Sequence, residues 1–157
     1  HYIRETDDAE LAAIVAPLIA QSVPGEIDTD LLVQAMPVLK TRAKNTHELA
    51  DGAGFLFQQR PLELTEKAAK LLDDEAKVRL GQLLQRYQAE NSWTIEALEA
   101  TTKATAEALD VGLGKLAQPL RAALTGTTTS PGIFDVLVLL GRDEALARIS
   151  AHAQSAD

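Results

Sequence analysis

An all-α fold is predicted for this chain from three observations. Alanine and leucine are abundant while β-branched runs are few, aromatic residues make up only 4% of the chain, and apolar side chains recur at helical spacing between residues that cap or break helices. At 157 residues the chain can build a real core, burying roughly two-thirds of its unfolded surface. The break at Asn91-Ser92 suggests two small helical subdomains, 1–90 and 91–157.

The elements follow in order. His1 to Arg4 starts without an initiator methionine and reads as the cut edge of a longer protein. Asp7 and Asp8 lead into an amphipathic helix with Leu11, Ile14, Val15, Leu18 and Ile19 on its apolar side, which Pro24-Gly25 stops. A second helix follows Asp28 or Thr29 and carries Leu31, Leu32, Ala35, Met36 and Leu39; Pro37 should kink it or delay its regular start. Asn45 to Glu48 reads as a capping box opening a third helix, about Thr46 to Gln58, with Phe55 to Phe57 in the core. After the break at Gln59-Arg60-Pro61, helices are expected over Leu64–Leu72 and Glu75–Gln88, separated by an acidic turn at Asp73-Asp74. Thr94 caps the next, Glu96–Asp110, with Trp93 and Leu98 placed as a hydrophobic staple. Lys115–Leu124 follows the turn Val111 to Gly114 and stops at Gly126, a C-cap residue. Four hydroxyl residues, Thr127 to Ser130, come next. Ser130 with Pro131 has the pattern of an N-cap and first helical residue, so the Leu/Val run to Leu140 is a further helix. Its start, beside a loop without acids, suits an anionic or base-edge ligand. Asp143 to about Ala153 closes the chain.

Composition narrows the function. There are no cysteines, hence no disulfide, thiolate metal site or cysteine nucleophile, and a reducing cytoplasm is expected. His1, His47 and His152 lack ligand spacing. The apolar runs fall far short of a membrane span, and the N-terminus has no signal-peptide pattern. The net charge of −8 argues by itself against nucleic acid, but its distribution matters more. From Leu31 to His47 there is no acid but Lys40, Arg42 and Lys44; from Val111 to Phe134 there is no acid but Lys115 and Arg121. An acidic protein can therefore present a locally basic face.

Candidate catalytic chemistry is thin. Gly112-Leu113-Gly114 lacks the third glycine and the preceding strand of a phosphate loop and reads as a turn. Asp73, Asp74 and Glu75 read as a solvated helix start rather than a metal cluster, and Ser130 has no base partner within reach by sequence. Lys40, Arg42 and Lys44 alternate, so they cannot share one helix face; they are either cations at a helix C-terminus or a cluster wrapped around its tip. Arg121 is either a solvated side chain or a reader. Trp93 fits the staple, with a stacking platform for a base as the minority reading.

The run Leu116 to Ile149, together with Trp93-Thr94 and His1 to Arg4, resembles the C-terminal anticodon-binding portion of the bacterial glutamyl-tRNA synthetase family, a class I synthetase. Val38 to Lys44 with Glu48-Leu49 is similar to the family's first anticodon subdomain, and Arg60 to Glu90 matches loosely. The resemblance implies two helical subdomains gripping the anticodon loop of tRNA-Glu. It places the family's anticodon arginine on Arg42 and anticodon contacts on Gln118, Arg121 and Lys103, the last standing where some relatives have arginine. It makes Ser130, Pro131 and Ile133 a wall for the first anticodon base. Lys40, Lys44 and Lys115 would hold phosphates. The His-x-Gly-His and Lys-Met-Ser-Lys-Ser motifs of the family's ATP site are missing from this sequence, so ATP and Mg²⁺ are expected only for a parent ligase and no cofactor for this chain. A cytoplasmic monomer is expected, with no DNA or membrane partner. The alternative is an acidic helical protein-interaction domain without RNA binding; a free-standing enzyme is disfavoured for want of a site.

Overall fold

In the computed structural model, residues 5–153 are described apart from Ser22, Pro24, Gly25, Arg42, Pro61 and Thr129. Among the described residues all regular structure is helical, and two compact units are formed, His1–Gln59 and Arg60–Asp157.

The first unit contains α1 (Asp8–Ala20), α2 (Thr29–Leu39) and α3 (Thr46–Ala53), followed by a 3₁₀ turn, Gly54–Leu56. Each pair of helices packs together. Leu11, Val15 and Ile19 of α1 meet a core completed by Leu32, Met36 and Leu39 and by Leu49 and Ala53, all buried. The caps are those the sequence predicts. Asp7 accepts from Ala9 N, Asp28 from Leu31 N and Asn45 from Glu48 N, so each helix start has an oxygen for one of its orphan N–H groups. Pro37 does not delay α2, which starts at Thr29 behind Asp28 and runs through the proline to Leu39. The stop expected at Pro24-Gly25 lies outside the described residues; α1 ends at Ala20.

The second unit contains α4 (Glu66–Leu71), α5 (Asp74–Ala89), α6 (Ile95–Ala108), α7 (Leu113–Thr125), α8 (Ile133–Leu140) and α9 (Arg142–Ser150). The central element is α7, which packs against each of the other five. Its Leu116, Leu120, Ala123 and Leu124 are buried, as are Leu80 and Leu83 of α5, Leu98 of α6, Val136 and Leu137 of α8 and Ile149 of α9. Thr65, Asp73 and Thr94 cap α4, α5 and α6 through their side chains.

The sequence boundary near Glu90 falls inside this second unit, where the break at Asn91-Ser92 is tied down from both sides. Arg142 donates to the carbonyls of Glu90 and Gln88 and lies over the Trp93 ring. Trp93 donates through Nε1 to Leu137 O at 2.8 Å, and the buried Tyr87 hydroxyl meets Thr102. Trp93 is thus held as a packing residue by α8 and by an edge contact with Tyr87 at 5.8 Å between ring centroids. Arg148, with a side chain 1% exposed, pins α9 to the end of α7. It binds Glu144 and donates to Leu124 O, each at 2.7 Å. Glu144 also pairs with Arg60 at the start of the unit.

Candidate functional site

The second unit's site is built on α7 and the loop after it. Burying Leu116, Leu120 and Leu124 turns Lys115, Gln118 and Arg121 toward the other side of the helix, where Lys115 and Gln118 are exposed and Arg121 half-buried. α7 ends at Gly126 in the left-handed conformation, φ +78°, as the sequence predicts. The Thr125 hydroxyl bonds back to Arg121 O and receives Thr127 N, which turns the chain sharply. Ser130 therefore returns beside α7, and its hydroxyl accepts from Arg121 Nε at 3.0 Å and donates to Pro131 O at 2.7 Å.

This arrangement corrects one expectation. Ser130 is not the N-cap of α8. The helix starts two residues later, at Ile133, with Gly132 as its N-cap and no side-chain capping bond, because the Ser130 hydroxyl is engaged by Arg121 and Pro131. Asp135 stands in the first turn of α8, and its Oδ2 reaches to 3.1 Å from where a Cβ on Gly132 would be. That helix start already has its own carboxylate, so an anion is disfavoured there. Ser130, Pro131 and Ile133 are all buried, while Gly132 between them is exposed.

Arg121 and Ser130 are thus brought into contact, and Lys115 and Gln118 together line one cleft. Lys103 stands on α6, 58% exposed, 3.9 Å from Glu99. In the first unit, Lys44 is exposed. Lys40 is tied back onto α1, where its ammonium pairs with Asp8 and donates to Thr6 O at 2.8 Å. Its side chain is 14% exposed, so its charge serves the packing of α1 on the end of α2. Arg42 lies outside the described residues.

Sequence reading missed the cleft itself. Its volume is about 520 Å³, and Lys70 of α4 and Arg79 of α5 line it together with Lys115 and Gln118. No local pattern joins residues so far apart in sequence. The only signal available was the acid-free window around Lys115.

The chain is similar to glutamate–tRNA ligase 1 of Erythrobacter litoralis, 66% identical over 157 residues, which are 100% of this chain and 32% of that protein. It is similar to glutamate–tRNA ligase 2 of Novosphingobium aromaticivorans, 60% identical over 98% of this chain and 32% of that protein. The chain therefore spans about a third of the length of these relatives. Its fold is similar to that of a solved glutamate tRNA ligase from Elizabethkingia meningosepticum, with a TM-score of 0.80 at 22% identity, over 96% of this chain and 30% of that one. The family described as the anticodon binding domain matches residues 10–153, all but the two ends, and the chain belongs to that family.

Proposed function

We propose that the chain is the anticodon-recognition part of a glutamate–tRNA ligase and holds the anticodon loop of tRNA-Glu. The carrying observation is the likeness at 66% identity, over the whole chain, to a glutamate–tRNA ligase. The acid-free windows around Arg42 and Arg121 and the seating of Arg121 on Ser130 support it. Attachment of glutamate with ATP belongs to the part of such a ligase that this chain does not match. Neither ATP motif occurs in the sequence. The setting is cytoplasmic, and the chain acts as a monomer.

The residue roles follow from donor chemistry. A guanidinium offers only donors, and cytosine, the last anticodon base of tRNA-Glu, presents adjacent O2 and N3 acceptors where uracil would show N3–H. Arg42 reads that base. Arg121, its Nε fixed by Ser130, presents a preoriented plane to a second base, with Gln118 one turn earlier on α7 as a two-way hydrogen-bonding partner. Ser130 then acts by positioning Arg121, and buried Pro131 and Ile133 set the height of the exposed Gly132 edge on which a base rests. Lys44, Lys103 and Lys115 hold phosphates. Lys103 lacks the planar fork needed for base readout.

The test is binding to an anticodon-arm RNA at fixed low salt. Arg42→Gln should abolish most of the preference for cytosine over uracil at the last anticodon position, a loss of about 1–3 kcal/mol. Unchanged discrimination would remove Arg42 from the role. Dimerisation or peptide binding without RNA affinity would favour the protein-interaction alternative.

A further inference from the structure

We infer that the cleft between α4, α5 and the first turns of α7 is a second RNA contact, holding a backbone phosphate and its nucleotide next to the strand read by Gln118 and Arg121. Lys70, Arg79 and Lys115 are its cations, and the exposed backbone at Gly112 and Gly114 is its wall. The inference rests on the anticodon-recognition reading and adds to it a site made by Lys70 and Arg79.

Three observations carry it. Cations from three different helices converge on one cavity of about 520 Å³, within the range of small-ligand sites, in a chain whose net charge is −8. Their internal partners are weak competitors for a phosphate. Lys70 stands 3.8 Å from Glu66 and Arg79, its side chain 22% exposed, 3.3 Å from Glu75, both (i, i+4) pairs whose glutamates are 87% and 83% exposed. The one acid on the cleft wall, Asp73, has its Oδ1 committed to Ala76 N as the cap of α5.

The second observation concerns the glycines. Gly112 and Gly114 line the cleft, yet a Cβ at either would meet nothing within 4 Å, and neither has the positive φ that calls for glycine. Gly114 lies inside α7, where glycine weakens a helix relative to alanine. Gly112 is the N-cap of α7, an ordinary place for glycine. At Gly114 no protein atom demands glycine, and close approach of a ligand to the backbone accounts for it.

The third is continuity. Gln118 belongs to the cleft wall and stands one helical turn before Arg121, so Lys115 to Arg121 covers roughly 9 Å along the helix. Leu71 and Pro119 add an apolar floor against which a ribose or base can lie. That floor favours a nucleotide over an acidic peptide.

The experiment is fluorescence anisotropy of the 157-residue chain with a labelled anticodon-arm RNA of tRNA-Glu across a salt series. The Lys70→Ala/Arg79→Ala double variant should bind about tenfold more weakly at low salt. Its slope of log K against log salt should be shallower by about 0.7, because one phosphate of a single strand is no longer neutralised. The preference for cytosine over uracil should stay intact. Gly114→Ala should weaken RNA binding while its Tm holds or rises, an outcome that misfolding cannot produce. If the parent chain binds and discriminates but these variants match it in affinity and slope, the cleft is not an RNA contact and the anticodon reading stands. If the parent chain does not bind the RNA above background, both fall. Displacement of the RNA by poly-glutamate at equal charge would overturn the inference in favour of an acidic peptide.

Discussion

Single residues decide the geometry around α7, and Gly126 does so twice. Its φ of +78° is one that alanine adopts only at a cost, and a Cβ there would collide with Glu63 O, while its own carbonyl receives Thr65 N. Gly126→Ala should therefore lose about 1–2 kcal/mol from the left-handed backbone alone, with the displacement of the 62–65 segment added. Urea unfolding measures it, and a loss below about 0.5 kcal/mol would mean that the segment yields freely. The conformational half of this was legible, since glycine after a leucine-rich helix is a C-cap signal. The steric half was not, because Glu63 is far from Gly126 in sequence. Ser130 shows the same limit. Its local pattern reads as an N-cap, and only the return of the loop onto α7 gives its hydroxyl to Arg121.

At the scale of elements the sequence was most readable where the signal is local. Asn45, Asp73 and Thr94 each read as helix starts, and each accepts from the N–H three residues on, because a cap is complete within one turn. Thr94→Ala should therefore destabilise the chain by about 1 kcal/mol, seen as a Tm lower by about 2–4 °C; no shift would mean that Trp93 and Leu98 hold the start of α6 without the cap. Breaks were harder to rank. Gln59-Arg60-Pro61 and Asn91-Ser92 look alike in sequence, but the second is bridged by Arg142, Trp93 and the Tyr87–Thr102 bond, so α5 and α6 share a core. The candidate site divides in the same way. The row Lys115, Gln118 and Arg121 could be read from helical spacing and an acid-free window. The cleft that joins Lys115 to Lys70 and Arg79 is a product of packing among three helices, and no local pattern announces it.

For the molecule as a whole, titration of a few groups in the second unit sets the pH range of stability. Burial pushes the Tyr87 phenol well above its ordinary 10.0, against a smaller lowering by the Thr102 bond. The unfolded chain therefore loses this proton first, and the contribution of Tyr87 is complete below pH 10 and lost above it. Burial, and then the charge of Lys77, pulls the His152 imidazole below 6.5. Here the unfolded chain gains the proton first, so stability is complete above pH 6.5 and declines as pH falls below it. Bonds from Ser92 N and then Thr101 hold the Glu90 carboxyl below 4.5, so its contribution is present above pH 4.5 and lost as pH falls through the folded value. Stability should form a plateau from about pH 7 to about pH 9.5 and fall on both sides. The net charge of −8 works against this on the acid side, since protonating carboxylates relieves self-repulsion, so the raw curve mixes the two effects. The difference between variant and parent separates them. His152→Gln should lose less stability than the parent between pH 7 and pH 5.5, and Tyr87→Phe less between pH 10 and pH 11, each followed by thermal melts at fixed ionic strength. Parallel curves for parent and His152→Gln would show that the imidazole titrates alike in both states, and that the acid-side decline has another source.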